Sequence, residues 1–271
     1  MAENTLEKII NKKRSRLIEL KKKRPLESLL EQTNDTMPYY NFKDVIEQNI
    51  HGNKISIIAE IKKASPSAGV IIKDYNPLNI AKIYQANKVT CLSVLTEEDF
   101  FLGKLSHIYK IKLNSNAMGI SGINLPILCK DFFIDIYQVS LAKHYGADAI
   151  LIILAGVSDS LANELYEEAL KLNMSIIIEV HTVEEAKKAL NFKKALIGIN
   201  NRNLKTLKTD INTTYNIHDV LINHSGPLIS ESGIKTKEEL INLKDKTKIK
   251  TFLIGESLLK NLDNNSIFSV L

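Results

Sequence analysis

Cysteine is nearly missing from this chain: there are two in 271 residues, Cys91 and Cys129. Each lies inside an apolar, strand-like run. That excludes a disulfide framework and fits a reducing compartment, so a cytoplasmic location is expected. No CxxC pair or clustered Cys/His spacing is present, so no metal site is expected. No apolar stretch reaches the ~18 residues of a membrane span. The opening segment "MAENTLEKIINKKRSRL" lacks the apolar centre of a signal peptide. Neither GxGxxG nor GxxxxGK[ST] follows the first strand-like run. An excess of one charge sign is also slight: 36 basic against 31 acidic residues leave +5. Nucleic acid or an anionic membrane surface would want a larger basic patch with interleaved aromatics, so neither is expected as a partner. Much of the surplus sits in Lys12, Lys13, Arg14, Arg16 and the run Lys21 to Arg24, which reads as a solvated helix face.

Apolar residues, at 44%, are sufficient for a proper core. Leu6, Ile9, Ile10, Leu17, Ile18 and Leu20 recur at helical spacing, and "RPLESLLEQ" predicts a second helix with proline near its start. A repeating pattern then begins. Strands are predicted at 54–62, 90–96, 125–131, 147–154, 174–180, 195–201, 227–232 and 251–255, with amphipathic helical segments between them. The strands are apolar on both faces, as in a parallel sheet covered by helices. Eight such units in ~220 residues predict a closed (β/α)8 TIM barrel. An open doubly wound sheet is the alternative, and the missing phosphate fingerprint argues against it. The expected organisation is a single domain, with an N-terminal helical extension over 1–48 and the barrel over 49–271. Leu6, Ile9 and Ile10 are expected to pack on the barrel, with the segment after them covering part of its mouth. "LNSNAMGISGIN" (113–124) reads as an extended surface loop.

The strands end in charge. Side chains alternate faces along a strand, so Ile58, Glu60 and Lys62 share one face, and Ile57, Ala59 and Ile61 the other. Leu128 and Lys130 oppose Ile127 and Cys129. Ile177 and Glu179 oppose Ile178 and Val180. Gly198, Asn200 and Arg202 are in phase, and a further run ends in "SESG". A single charge at a strand end is unremarkable, but five strands with the same device point to a site at the barrel's C-terminal mouth. Two lysines, two glutamates, an asparagine and an arginine suggest metal-free acid/base work on an anionic substrate. "ASPSAG", "SESGI" and "IGESLL" suggest that the anion is phosphate, with glycines allowing close backbone approach. His181 reads as a structural or rim residue.

These segments resemble the indole-3-glycerol phosphate synthase family of tryptophan biosynthesis. The matching blocks are "IIAEIKKASPSAG", "LSVLTEEDFF", "PILCKDFFIDIYQV", "GADAILII", "IIEVHTVEEA", "GINNRNL", "SESGI" and "FLIGESLL", in the family's order. The resemblance implies a carbon–carbon lyase that closes an indole ring. Its substrate would be 1-(2-carboxyphenylamino)-1-deoxyribulose 5-phosphate, and its products indole-3-glycerol phosphate, CO2 and water. No cofactor or metal is implied. Lys130 would be the general acid and Glu179 an acid/base partner. Lys62 would act between the substrate carboxylate and the dehydration, and Glu60, Asn200 and Arg202 would orient the reacting groups. Glu231 and Ser232 would line the site, and Phe101 and Phe132 would pack on the aromatic ring. Ser65, Gly233, Gly255 and the backbone N–H of Glu256 would hold phosphate. The division of roles between Lys62 and Lys130, and between Glu60 and Glu179, stays open.

The chain departs from the family pattern at Ala68, where lysine is common, at Cys129, where arginine is usual, and at Asn203, where aspartate is usual. None of these removes a residue assigned to the chemistry. The isomerase often fused to this family would need ~200 further residues, so the synthase alone is expected. A small phosphorylated molecule is the expected partner, with weak or transient association with other tryptophan-pathway enzymes. Two competing readings are another phosphate-binding barrel, such as phosphoribosylanthranilate isomerase, and a binding barrel without turnover. The first wants a Cys/Asp pair at strand ends, which is not found. The second would be signalled by loss of Lys130 or Glu179, and both are present.

Overall fold

A computed structural model describes residues 4–31, 37–116, 122–262 and 265–271. Eight parallel strands close on themselves: β1 (Ser56–Ile61), β2 (Cys91–Leu95), β3 (Ile127–Lys130), β4 (Ala149–Ile153), β5 (Ser175–Val180), β6 (Leu196–Asn200), β7 (Leu228–Glu231) and β8 (Thr251–Ile254). β1 pairs with β2 on one side and with β8 on the other, which leaves no free edge. The predicted TIM barrel is therefore observed, and each of the eight predicted strands contains an observed one.

The two faces separate as the alternation requires. Ile57, Ala59, Ile61, Cys129, Ile176, Ile178, Ile197 and Ile199 join the layer between strands and helices. Ile58, Leu128, Leu151, Ile177, Leu196, Ile229 and Leu253 fill the barrel interior. That layer is packed by α4 (Pro77–Ala86), α5 (Leu105–Asn116), α6 (Tyr137–His144), α7 (Asp159–Lys171), α8 (Val183–Ala189), α9 (Asn212–Leu221), α10 (Lys237–Thr247) and the short α11 (Glu256–Leu259). Local chemistry starts several of them. Asn76 caps α4 ahead of Pro77, Ser158 caps α7, and Thr236 with Glu239 forms a capping box on α10.

Among the described residues, three helices precede the barrel: α1 (Thr5–Lys23), α2 (Leu26–Glu31) and α3 (Phe42–His51). α3 spans the expected boundary at 48/49. Its Phe42 and Ile46 are fully buried in the interior cluster, and Lys43 N–H donates to Ser175 Oγ at the start of β5. α3 thus plugs the N-terminal end of the barrel. α1 lies at the other end. Leu6 and Ile9 pack on the interior cluster, with Ile10 beside them. The segment after them reaches the loops beyond β2 and β3 through Lys13 and Arg16, while α2 packs on α6 through Leu29, Tyr137 and Leu141.

Of the basic run of α1, Lys13 is buried, while Lys12, Arg14, Arg16 and Lys21 to Lys23 are exposed, as a solvated face requires. Lys13 pairs with Asp131, Lys21 with Asp135, and Arg16 with both Glu98 and Asp99, so the helix is tied to the loops that follow β2 and β3. The expected loop at 113–124 begins instead as the last turn of α5, while residues 117–121 lie outside the described residues. Below the mouth, Lys112 and Asp148 form a fully buried ion pair at 2.6 Å. Asp148 also accepts the N–H groups of Tyr40 and Ile127, so the pair joins α5, the chain before α3 and the sheet.

Candidate active site

Lys130 ends β3, and its Nζ donates to Glu179 Oε2 at 3.0 Å and to Glu231 Oε2 at 2.6 Å. Glu179 comes from β5 and Glu231 from the end of β7, so alternate strands converge on one ammonium, as the layers of such a barrel dictate. Both carboxylates are almost wholly buried. Burial alone would discharge all three groups. For Lys130, the Glu179, Glu231 and Glu60 carboxylates overcome burial and raise the pKa. Glu179 is likewise opposed by burial, but Lys130, His181 and Asn200 hold it well below the usual carboxylate range. Glu231 is pushed up to about 7 by burial and by the charges of Glu179 and Glu60, despite Lys130.

A second pair sits beside the first. Lys62 Nζ lies 2.5 Å from Glu60 Oε1, both largely buried. From β6, Asn200 Nδ2 donates to Glu179 Oε1 at 3.0 Å, and its Oδ1 accepts the Arg202 N–H at 2.9 Å. The Arg202 side chain reaches across the mouth to Ser67 Oγ and lies 3.8 Å from Glu256 Oε2. Glu256 itself is bound to Lys260 at 2.6 Å. Gly198 and Gly255 make room for these groups. A Cβ on Gly198 would overlap Glu231, and one on Gly255 would overlap Glu60. Gly255 therefore has a steric reason beyond close approach to phosphate.

Above the charges is a cleft of about 730 Å³, within the ~300–1,000 Å³ usual for small-molecule sites. Phe101 and Phe132 line it, their ring centres 6.2 Å apart. The Glu97 carboxylate accepts the N–H groups of Asp99, Phe100 and Phe101, which fixes the loop that carries Phe101. Ser65, Ser232, Gly233, Gly255 and Glu256 line the cleft as well. Ser232 and Gly233 both have left-handed backbone, φ +65° and +84°. The helix after Gly233 starts only at Lys237, where Thr236 already caps it. All the anticipated residues thus border one cleft or, for Glu231, the ammonium at its floor.

Sequence reasoning passed over two participants. Lys13 of α1 forms a 2.6 Å buried ion pair with Asp131, whose other oxygen accepts the Thr96 hydroxyl at 2.7 Å. The signal was available, because Lys13 continues the spacing of Leu6, Ile9 and Leu17, the buried stripe of α1. His181, expected as a structural or rim residue, has its Nε2 3.2 Å from Glu179 Oε1. Among the described residues, no group of three or more His, Cys, Asp or Glu could hold a metal ion, and no helix is long and apolar enough to cross a membrane.

Comparison with known proteins bears directly on this constellation. A family model described as indole-3-glycerol phosphate synthase matches residues 6–270. An indole-3-glycerol phosphate synthase of Clostridium acetobutylicum is 41% identical over 261 residues, 96% of this chain and 94% of its own. One from Prochlorococcus marinus subsp. pastoris is 40% identical over 276 residues, 100% of this chain and 90% of its own. The tryptophan synthase subunit alpha of Legionella pneumophila superposes with a TM-score of 0.55 at 12% identity, covering 82% of this chain and 88% of that one, a likeness of fold alone. The match runs from α1 to the last turn and takes in every strand that contributes a charge to the cleft, and on that basis the chain belongs to the indole-3-glycerol phosphate synthase family.

Proposed function

We propose that this cleft performs the family's ring closure, with Lys130 as the general acid. The reaction converts 1-(2-carboxyphenylamino)-1-deoxyribulose 5-phosphate to indole-3-glycerol phosphate, CO2 and water. The ring carbon that bears the carboxylate attacks the ketone, whose oxygen takes a proton. Carbon dioxide then leaves and aromaticity returns. The hydroxyl departs as water after gaining a proton, and the carbon next to nitrogen loses one. Because the carboxylate leaves as neutral CO2, turnover takes up one proton net. A site for this needs a strong cation near the ketone, a carboxylate able to receive a proton, and a second cation for the substrate carboxylate.

Lys130, Glu179 and Lys62 fill those roles in this reading. The observation that carries it is the Lys130 ammonium held between two buried carboxylates, Glu179 and Glu231, at a cleft floor. Glu60 orients Lys62, and Asn200 orients Glu179 and Arg202. Phe101 and Phe132 offer an apolar wall for the aromatic ring. Phosphate is assigned to Ser65, Gly233, Gly255 and the Glu256 N–H, with Ser232 beside them. A cytoplasmic location is part of the same reading, supported by two free, buried cysteines. So are the lack of nucleic-acid or membrane partners and a weak or transient association with other tryptophan-pathway enzymes. The test is the appearance of indole fluorescence when the purified protein meets the carboxyphenylamino substrate. No signal from the parent protein, or an undiminished one from Lys130→Met, overturns the assignment.

A further inference from the structure

Two carboxylates share Lys130, but their surroundings differ. Glu179 Oε1 has Asn200 Nδ2 at 3.0 Å and His181 Nε2 at 3.2 Å. Glu231 Oε1 is buried without a hydrogen-bond partner among the described residues. His181 therefore faces one carboxylate of the pair and not the other. Its second ring nitrogen, Nδ1, lies 3.4 Å from Glu185 Oε2 on α8, and the same oxygen accepts the His181 N–H at 2.7 Å. These are close ion-pair contacts rather than aligned hydrogen bonds, so charge matters more than direction. The imidazole is mostly buried, with a carboxylate at each nitrogen.

We propose that His181 is a positioning residue that keeps the negative charge on Glu179, rather than on Glu231, while Lys130 gives up its proton. This rests on the roles assigned above to Lys130 and Glu179. Once the ammonium is neutral, two buried carboxylates face one amine, and nothing in that trio alone decides which of them stays charged. Two titratable groups do different work when their surroundings push their pKa values apart. The groups facing Glu179 are Lys130 from β3, Asn200 from β6 and Glu231 from β7, with His181 following β5, while Glu60 from β1 acts on Lys130 and Glu231. His181 is the cation in this set that does not take part in proton delivery. Burial opposes its charge, but Glu179 and Glu185 raise its pKa to about 9, so it remains an imidazolium at neutral pH. Glu179 is then ready to receive the proton lost in dehydration.

The test uses His181→Gln in the full chain, which keeps a neutral donor and removes the charge. Loss of an opposite charge at this distance should move the acid limb of the kcat–pH profile upward by about one to three pH units. KM should change little, while the unfolding temperature at neutral pH should fall, because Glu179 and Glu185 lose a shared cation. Imidazole NMR supplies a readout free of turnover. His181 should titrate near 9 in the parent protein, and at lower pH in Glu179→Gln and Glu185→Gln. If His181→Gln keeps the parent pH profile while Glu179→Gln is inactive, His181 is structural and the proposal is overturned, but the proposed function stands. If Glu179→Gln turns over normally, the role of Glu179 fails and this proposal falls with it. Should His181→Gln not fold, an unchanged imidazole titration in Glu185→Gln also overturns it.

Discussion

Gly198 and Glu231 compete for one space: the Cβ that any other residue would carry at 198 overlaps Oε1 of Glu231. The neighbour is a buried carboxylate tied to Lys130, so it cannot swing into solvent. Gly198→Ala should therefore displace Glu231 and, through it, the Lys130 ammonium. A misplacement of that size lowers kcat by about 10²-fold. The overpacking should cost about 1–3 kcal/mol of stability. Parental kcat in a folded variant would show that Glu231 has no part in catalysis.

Lys130→Met removes the proposed acid, so kcat should fall by at least ~10²-fold. It should also cost stability, because Glu179 and Glu231 are left facing each other in the interior. A carboxylate in such a place has a folded-state pKa above its unfolded value, ~4.3 for glutamate. The folded form then holds a proton that the unfolded form has lost. The deficit of the variant should be small near pH 4 and grow as pH rises through the folded pKa. Denaturant melts at several pH values would show this, and a deficit that shrinks as pH rises would contradict it.

Glu231 should leave its own mark on the parent protein. Its pKa of about 7 lies above the unfolded value, so its contribution is fully present at acid pH and lost as pH rises toward and through 7. Glu231→Gln cannot titrate and should flatten that part of the stability curve. Identical pH dependence in the two proteins would mean that Glu231 stays ionised throughout.

Gly233 and Gly255 look alike in the sequence, each ending a strand segment near the proposed phosphate site. In the structure they separate. Gly233 has φ +84° and faces Thr209, away from the charged pairs, so Gly233→Val should mainly raise KM and weaken competition by inorganic phosphate. A side chain at Gly255 would strike Glu60, the partner of Lys62, so Gly255→Val should lower kcat as well. Equal effects of the two on the ratio of kcat to KM change would remove this distinction.

Lys112→Met leaves Asp148 buried with two backbone N–H donors but no cation. Breaking a buried pair from one side costs about 3–5 kcal/mol. The double variant Lys112→Met/Asp148→Asn should recover part of that loss, and a single variant as stable as the parent would make the pair dispensable. Steady-state kcat of the folded fraction should not change, since neither residue lines the cleft.

The barrel was legible because its strands advertise themselves: a run such as Ser175–Val180 is apolar on both faces, and its one charge, Glu179, comes at the end. Phase alone put Glu60, Lys130 and Asn200 on the inner face and Cys129 on the outer one, as observed. Partners across the barrel were not legible. Nothing local in "IIEVH" says that Glu179 meets Lys130, since that contact depends on strand stagger, whereas His181, two residues on, shares the face of Glu179 by simple alternation. The basic run of α1 reads correctly as a largely exposed face, but its ion pairs were hidden for the same reason. Its counter-charges, Glu98, Asp99, Asp131 and Asp135, lie far along the chain, and a pattern of spacing carries no information about them.

The two ends of the barrel are both finished by helices that precede every strand of it. α3 fills the floor, and α1 reaches the rim through Lys13 and Arg16, yet the sheet closes only when β8 meets β1. During synthesis Phe42 and Ile46 must therefore wait, with their apolar face uncovered, for strands that emerge much later. Long-range pairing of this kind slows folding and exposes sticky surface meanwhile. The extension is thus both the seal of the finished barrel and its chief hazard while incomplete. Ribosome-bound chains stopped before β8 should be cleaved by protease at α3 and should recruit a chaperone there, and chains released after β8 should do neither.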